Sequence, residues 1–272
     1  LVEDGIVHKR AKSRKFVQAT DMLASQRKEY ILKVLREQGQ VVAKTISREL
    51  RLSEDTIRRD LRELAAEGRL QRVHGGALPS SPAVVDFAGR QQLAPEGKRA
   101  VGKAAAGMIR PGQVIILDGG TTTQQLAAHL PPDLHATVVT HSPTIAVALV
   151  PHPNIEVVLL GGRLFKHSVV TVGAAAMEAI ARIRADIYFM GVTGIHPEIG
   201  LTTGDLEEAH IKRALSASAA ETYVLLTAEK INTASAYLVV PVTEIDGMVI
   251  ESGVAPEAIE PYERMGLSVV RV

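Results

Sequence analysis

Apolar positions follow two different rhythms along this chain. Between residues 25 and 38, Ile31, Leu32, Val34 and Leu35 recur at helical spacing, and Gly39 follows where a cap would close a helix. Val41 and Val42 fit a short strand, and 45–50 a second helix with Ile46 and Leu50 turned inward. After the connection Arg51-Leu52-Ser53, Ser53 is a good N-cap and Glu54 and Asp55 suit the positive end of a helix dipole. Ile57, Leu61 and Leu64 then share one stripe, which leaves Thr56, Arg58, Arg59 and Arg62 pointing away from it until Gly68 ends the helix. Residues 69–77 alternate and turn at Gly75-Gly76, the pattern of a hairpin.

Beyond residue 79 the rhythm changes to apolar strands alternating with helices. Strands are expected at 114–117, 137–140, 157–160, 187–190, 223–226, 248–250 and 267–270. Helices are expected at 124–130, from Ser142-Pro143 onward, and at 174–184, 206–220 and 256–265, with an interrupted Ala-rich helix around Gly102 and Gly107. Strands apolar on both faces and alternating with helices mean an α/β fold with a mostly parallel sheet. The expected division is a small helical domain over 22–78, a linker over 79–95 that begins Pro79-Ser80-Ser81-Pro82, and a larger domain over 96–272.

Charge sharpens this division. Residues 1–78 hold 17 Lys and Arg against 11 Asp and Glu, a net of +6, whereas the remainder carries −5. A basic head on an acidic body suggests a polyanion-binding module attached to something else. Lys9, Arg10, Lys12, Arg14 and Lys15 lie without apolar period in a chain that opens on Leu1, so 1–21 read as an appendage outside the fold. The absence of Cys excludes disulfides, zinc ribbons and thiol nucleophiles and fits a reducing cytoplasm; no stretch approaches a membrane span, and no membrane partner is expected. With no Trp and nine Phe plus Tyr, nucleic-acid binding would rest on charge and hydrogen bonds rather than stacking.

Two helices joined by a tight turn, the second with an exposed basic face, have the geometry that places a recognition helix in the major groove. Thr56, Arg58 and Arg59 would read or position on DNA, and Arg62, Arg69, Arg72 and His74 would meet phosphates or the groove margin. A three-helix bundle with a solvated basic face is the plainer alternative. In the larger domain, polar residues gather where strands end, the edge at which parallel α/β sheets bind ligands. Asp118-Gly119-Gly120-Thr121-Thr122-Thr123 offers backbone N–H groups, hydroxyls and a helix N-terminus to an anion, although an ordinary strand-to-helix turn would use the same residues. Thr140-His141-Ser142 and Gly191-Val192-Thr193 end other strands, and Gly200-Leu201-Thr202-Thr203 leads into the helix that carries Glu207, Glu208 and Lys212; His141 by itself reads first as a hydrogen-bonded structural residue, and Glu207 and Glu208 as solvated charges. No P-loop, dinucleotide fingerprint, nucleophile elbow or metal-spaced His pair appears, so no cofactor is expected.

The run Ser53-Glu54-Asp55-Thr56-Ile57-Arg58-Arg59-Asp60-Leu61, with Gly68 and then Arg72-Val73-His74-Gly75-Gly76-Ala77, resembles the N-terminal signature of the DeoR family of bacterial transcription regulators. Asp118 through Thr122, Thr140 with Ser142, Gly161-Gly162, Gly173, Gly191 through Ile195, Gly200 through Thr203, Lys212 and Lys230 are similar in order to that family's sensor domain. The resemblance implies a winged helix-turn-helix that binds operator DNA, joined to a sensor related in fold to ribose-5-phosphate isomerase. It implies a repressor of carbohydrate-metabolism genes, acting as a dimer or tetramer and controlled by a phosphorylated sugar. By analogy Asp118 would bind sugar hydroxyls, the turn Gly119, Gly120 and Thr121 to Thr123 the phosphate, and Lys212 and Lys230 would supply positive charge. His141, Ser142, Gly191 and Thr193 would complete the site, with Lys166 as a substitute for a family Arg. Three positions depart from the family: His141 where Asn is common, Thr227 where Asp is usual, and Phe165-Lys166 with Val170 in a stretch that tends to carry Arg and Ser. A sugar-phosphate isomerase with an added DNA-binding head is the alternative that the resemblance leaves.

Overall fold

The computed structural model describes residues 22–272; the basic run from Lys9 to Lys15 lies outside them. The head begins with α1 (Ala24–Gln38), whose Ile31, Leu32, Val34 and Leu35 are buried as their spacing requires. After β1 (Val41–Val42), α2 (Ala43–Leu50) starts two residues earlier than expected, and α3 (Glu54–Ala66) follows with Ser53 accepting from Thr56 N at 3.2 Å. Ile57, Leu61 and Leu64 of α3 pack on Ile31, Leu35 and Ile46 to form the head's own core. The wing is β2 (Gln71–Val73) and β3 (Gly76–Leu78), and β1 pairs with β3 to give the order β1-β3-β2. Gly76 is obligatory there, because a Cβ at that position would lie 1.8 Å from Val41 O.

Residues 79–95, expected as a linker, are folded onto the larger domain. A 3₁₀ turn (Pro82–Val84) and α4 (Phe87–Gln92) occupy the stretch, capped by Ser81 and Asp86. Ser81 Oγ donates to Thr193 O, Ala234 N to Pro79 O at 3.4 Å, and Phe87 N to His167 O at 2.9 Å. Lys98 of α5 (Pro95–Ala106) donates to the carbonyls of Arg90 and Leu93, so it closes the end of α4 with a charge.

The larger domain is built on seven parallel strands: β4 (Val114–Leu117), β5 (Ala136–Thr140), β6 (Ile155–Leu159), β9 (Ala185–Gly191), β12 (Ala219–Leu226), β14 (Gly247–Ile250) and β15 (Ser268–Arg271). Their order is β15-β14-β12-β9-β4-β5-β6, every pair parallel. Each expected strand is present within a few residues. Ile115, Leu117, Ile187 and Phe189 face α5, α6 (Thr121–Ala128) and α7 (Pro143–Leu149), while Ile116, Tyr188, Met190 and Val224 face α8 (Ala174–Ile180), α9 (Leu206–Ala217) and α10 (Pro256–Arg264). α9 stops short of the expected 220 because Ala219 already pairs with Ala185 in the sheet. Two elements were absent from the sequence reading: the hairpin β7 (Arg163–Phe165) and β8 (Val170–Val172), and an antiparallel sheet of β10 (Gly194–His196), β11 (Gly200–Thr203) and β13 (Tyr237–Val240). From β4 the sequence runs outward through β5 and β6, and from β9 it runs the other way through β12, β14 and β15. The direction therefore reverses between β4 and β9, which opens a crevice at their carboxyl ends.

Candidate functional site

At the end of β4, the crevice is organised by Asp118. Its carboxylate is wholly buried and takes four donors: Gly119 N at 2.8 Å and His141 Nε2 at 2.7 Å on Oδ1, Gly191 N at 2.8 Å and Lys212 Nζ at 2.5 Å on Oδ2. Burial would raise this carboxyl, but the Lys212 ammonium and the hydrogen bonds from His141 and Lys212 overcome burial and hold it well below the usual carboxylate range. One ionised side chain thus ties the ends of β4 and β9 to α9. His141 reaches further, with Nδ1 at 3.0 Å from Thr171 O of β8, and Ser142 Oγ donates to Val169 O at 3.2 Å. Val169 sits at φ 54, a strained conformation for a β-branched residue, in the turn that presents Ser168.

In front of this frame lies a cavity. Gly120, at φ 124, turns the chain so that α6 begins at Thr121 with no side-chain cap, leaving the first-turn N–H groups of Thr121, Thr122 and Thr123 facing the opening. Gly191, Thr193, Lys212 and Lys230 complete the walls expected from sequence. The cavity also takes Thr203, from one of the hydroxyl-rich turns expected at this sheet edge, and Ser168, Glu208 and Arg90, which were not expected there. Four buried side-chain atoms on its walls have no hydrogen-bond partner: Thr122 Oγ1, Thr123 Oγ1, Ser168 Oγ and Arg90 Nε. Buried polar atoms seldom go unpaired, and several orphans converging on one space mark it as a place for a polar ligand. Lys230 is buried, and burial, aided by the charges of Lys98, Arg90 and Lys212 and opposed by Glu229, brings its ammonium down to about 8.

The structure corrects several expectations. Asp118, His141 and Ser142, expected to line the site, stand behind the wall; all three are fully buried and engaged with protein atoms, and Asp118 pairs with Lys212, which does line it. Lys166 is exposed and absent from the wall, and the residue of the 162–173 stretch that reaches the cavity is Ser168. Glu208 is buried in the cavity while Glu207 is exposed, so the two acids expected to be solvated differ. The signal for Glu208 was its place on a stripe with Lys212 and Leu215, all buried. Arg90 carried a weaker signal, Asp86 as N-cap of a run ending Arg90-Gln91-Gln92.

On the head, Arg58, Arg59, Arg62, Arg72 and His74 are exposed. Arg59, Arg62 and Arg72 have no ion-pair partner among the described residues, whereas Arg58 pairs with Glu54 at 2.9 Å and Arg69 turns onto Glu29 of α1 at 3.2 Å. The Thr56 hydroxyl lies 2.9 Å from Ser53 Oγ. Asp60, next to Arg59, points the opposite way and receives a bidentate pair from Arg27 inside the head. Among the described residues no group of three His, Asp or Glu could hold a metal, and no helix is long and apolar enough to cross a membrane.

A winged helix-turn-helix with a free cationic face, coupled to an α/β body with an anion-friendly cavity, defines a ligand-responsive DNA-binding regulator. Comparison with known proteins agrees. The sequence model of the DeoR-like helix-turn-helix domain matches residues 27–82, and that of the DeoR C terminal sensor domain matches 93–252. The chain belongs to the DeoR family of transcriptional regulators. It is 33% identical over 92% of its length to the HTH-type transcriptional regulator GlpR of Haloferax volcanii, covering 98% of that protein. To the HTH-type transcriptional repressor GlcR of Bacillus subtilis it is 32% identical, over 81% of this chain and 86% of the relative. Among solved structures, ribose 5-phosphate isomerase A from Methanocaldococcus jannaschii aligns at 19% identity and a TM-score of 0.37, over 49% of this chain and 52% of that one.

Proposed function

We propose that this protein is an operator-binding repressor of carbohydrate-metabolism genes, whose affinity for DNA is set by a phosphorylated sugar bound at the β4–β9 crevice. The observation that carries the reading is the convergence, on one cavity, of the α6 N-terminus, Lys212, Lys230 and four unpaired polar atoms. Helix N–H groups and ammoniums recognise a phosphate, and the Thr122, Thr123 and Ser168 hydroxyls add neutral hydrogen bonds. Glu208, a carboxylate on the same wall, suits the hydroxyls of a sugar. Relatives that include a GlcR repressor support a carbohydrate setting. A carboxylate in the cavity is also what an isomerase would need as base, but the family is one of transcriptional regulators.

The head reads DNA with the outer face of α3, where Thr56, Arg58 and Arg59 lie, and with Arg62, Arg72 and His74 around it; Arg69 joins them by releasing Glu29. One such head covers a half-site, so the working form is a homo-oligomer, placed in the cytoplasm with its operator. Exposed apolar side chains at Val147 of α7, at Val150 just after it, and at Val158 and Leu159 of edge strand β6 give a second copy a place to pack. A thermal-shift panel that compares phosphorylated sugars with their unphosphorylated parents tests the sensor reading. A ligand at a hundred times its Kd adds about 2.7 kcal/mol, and stabilisation by a phosphorylated compound but not by its parent is the expected result. Equal stabilisation by both, or by neither, would reject the reading.

A further inference from the structure

The cavity at the β4–β9 crevice is small, about 40 Å³, and opens beside a larger one of about 380 Å³. On such a measure a water needs roughly 10–15 Å³, so the inner space suits a phosphate group, and the larger cavity beside it suits the sugar attached to it. The two cavities share Arg90, Thr193 and Glu208. The outer one is not a property of the sensor alone: Gln71 of wing strand β2 and Val84 of the connector form part of its wall, facing Phe165, His167 and Ala236. We infer that the effector spans both cavities, with its phosphate inside and its remainder against the wing, and that Arg90 of the connector is a ligand at the neck between them.

Arg90 is built for this position. Its helix, α4, is fixed from behind by Lys98 on the carbonyls of Arg90 and Leu93. It is fixed from the side by Phe87 N on His167 O at 2.9 Å, with His167 Nε2 at 3.1 Å from Val84 O. The guanidinium nonetheless keeps a buried Nε with no partner on the wall of the inner cavity. An Arg fork held in this way lacks only an anion or a hydroxyl oxygen to accept from it. Because Arg90 sits between head and sensor in the chain, a ligand that engages it contacts the connector directly, and one that fills the outer cavity meets the strand carrying the wing. Effector occupancy is thus read directly by the head, without a relay through the seven-stranded sheet.

This inference rests on the phosphate reading above, and the test separates the two. The full-length protein and its variants Arg90→Gln and Ala236→Trp are titrated with inorganic phosphate and with a panel of pentose and hexose phosphates, followed by melting temperature and by operator binding. Arg90→Gln is expected to weaken the stabilising sugar phosphate at least tenfold and to reduce its effect on operator affinity. Ala236→Trp, which fills the outer cavity, is expected to keep inorganic phosphate binding and lose the sugar phosphate. Arg90→Met replaces Arg90→Gln if the latter does not melt cooperatively. Wild-type affinity for the sugar phosphate in the Arg90 variant would overturn the role of Arg90, and in Ala236→Trp it would overturn the outer cavity. Failure of every phosphate to stabilise the wild type would overturn the phosphate reading itself, and this inference with it.

Discussion

At the scale of single residues the site depends on charges held where water would otherwise solvate them. Lys230, brought down to about 8 by burial, binds an anion best while protonated. A phosphate monoester loses its second proton near pH 6, so effector affinity is expected to be highest between about pH 6 and 8. Above that it falls up to tenfold per pH unit, and Lys230→Met flattens this limb; titration calorimetry across pH 6 to 10 checks it. For the empty protein the sign is opposite. Between about 8 and the ordinary lysine value the unfolded chain holds a proton that the folded chain has lost, so this group's contribution to stability rises with pH. Asp118 makes the second residue-scale case. Asp118→Ala leaves the buried Lys212 without its counter-charge, at a cost of about 3–5 kcal/mol, and releases the ends of β4 and β9. It is expected to abolish the effector response through loss of the frame, with a lower sensor melting temperature. Unchanged sensor stability in that variant would contradict the frame.

At the scale of elements, α3 offers a sharper contrast, because neighbouring residues face opposite ways. Arg59 is exposed and unpaired among the described residues, so Arg59→Ala is expected to weaken operator binding and lower its salt dependence by about one counterion if the contact is to phosphate. Asp60 anchors Arg27 in the head, so Asp60→Ala is expected to destabilise the head by about 3–5 kcal/mol. Scanning calorimetry should then show an earlier head transition with the sensor transition in place, which Arg59→Ala should not produce. This element was legible in the sequence because periodicity, Ser53 as cap and the apolar stripe agreed. The parallel strands were legible because both of their faces are apolar, as at Ile115 to Leu117. The strands β10, β11 and β13 were not, since Gly200 to Thr203 carries hydroxyls that read as turn chemistry yet is buried throughout against neighbouring strands. The turn Gly119 to Thr123, with its hydroxyls and helix N-terminus on the cavity wall, could be read from the sequence. The roles behind it could not, because Asp118 facing inward and Arg90 arriving from the connector are decided by tertiary packing.

At the scale of the whole molecule, the proposed two-fold reading of an operator needs two heads held at a fixed separation, and the sensor offers a surface that would hold them. Val147 and Val150 are 70% and 78% exposed, and β6, the strand at one end of the sheet, also exposes Val158 and Leu159, one toward each face. An edge strand flanked by bare valines is a natural seam for a second copy, because pairing there covers apolar surface and satisfies open backbone groups together. Replacing Val147 and Val150 together by Glu places charges in that seam without touching the cavity or the head. The expected outcome is a monomer by sedimentation, with the melting response to a sugar phosphate retained. Operator affinity should fall by about a hundredfold or more, because the second head loses its effective concentration. The salt dependence should fall to about half, since one head neutralises half the phosphates. A variant that still sediments as a dimer would move the seam elsewhere. One that becomes monomeric yet binds operator like the wild type would show that a single head suffices, which would remove the reason for expecting two-fold recognition.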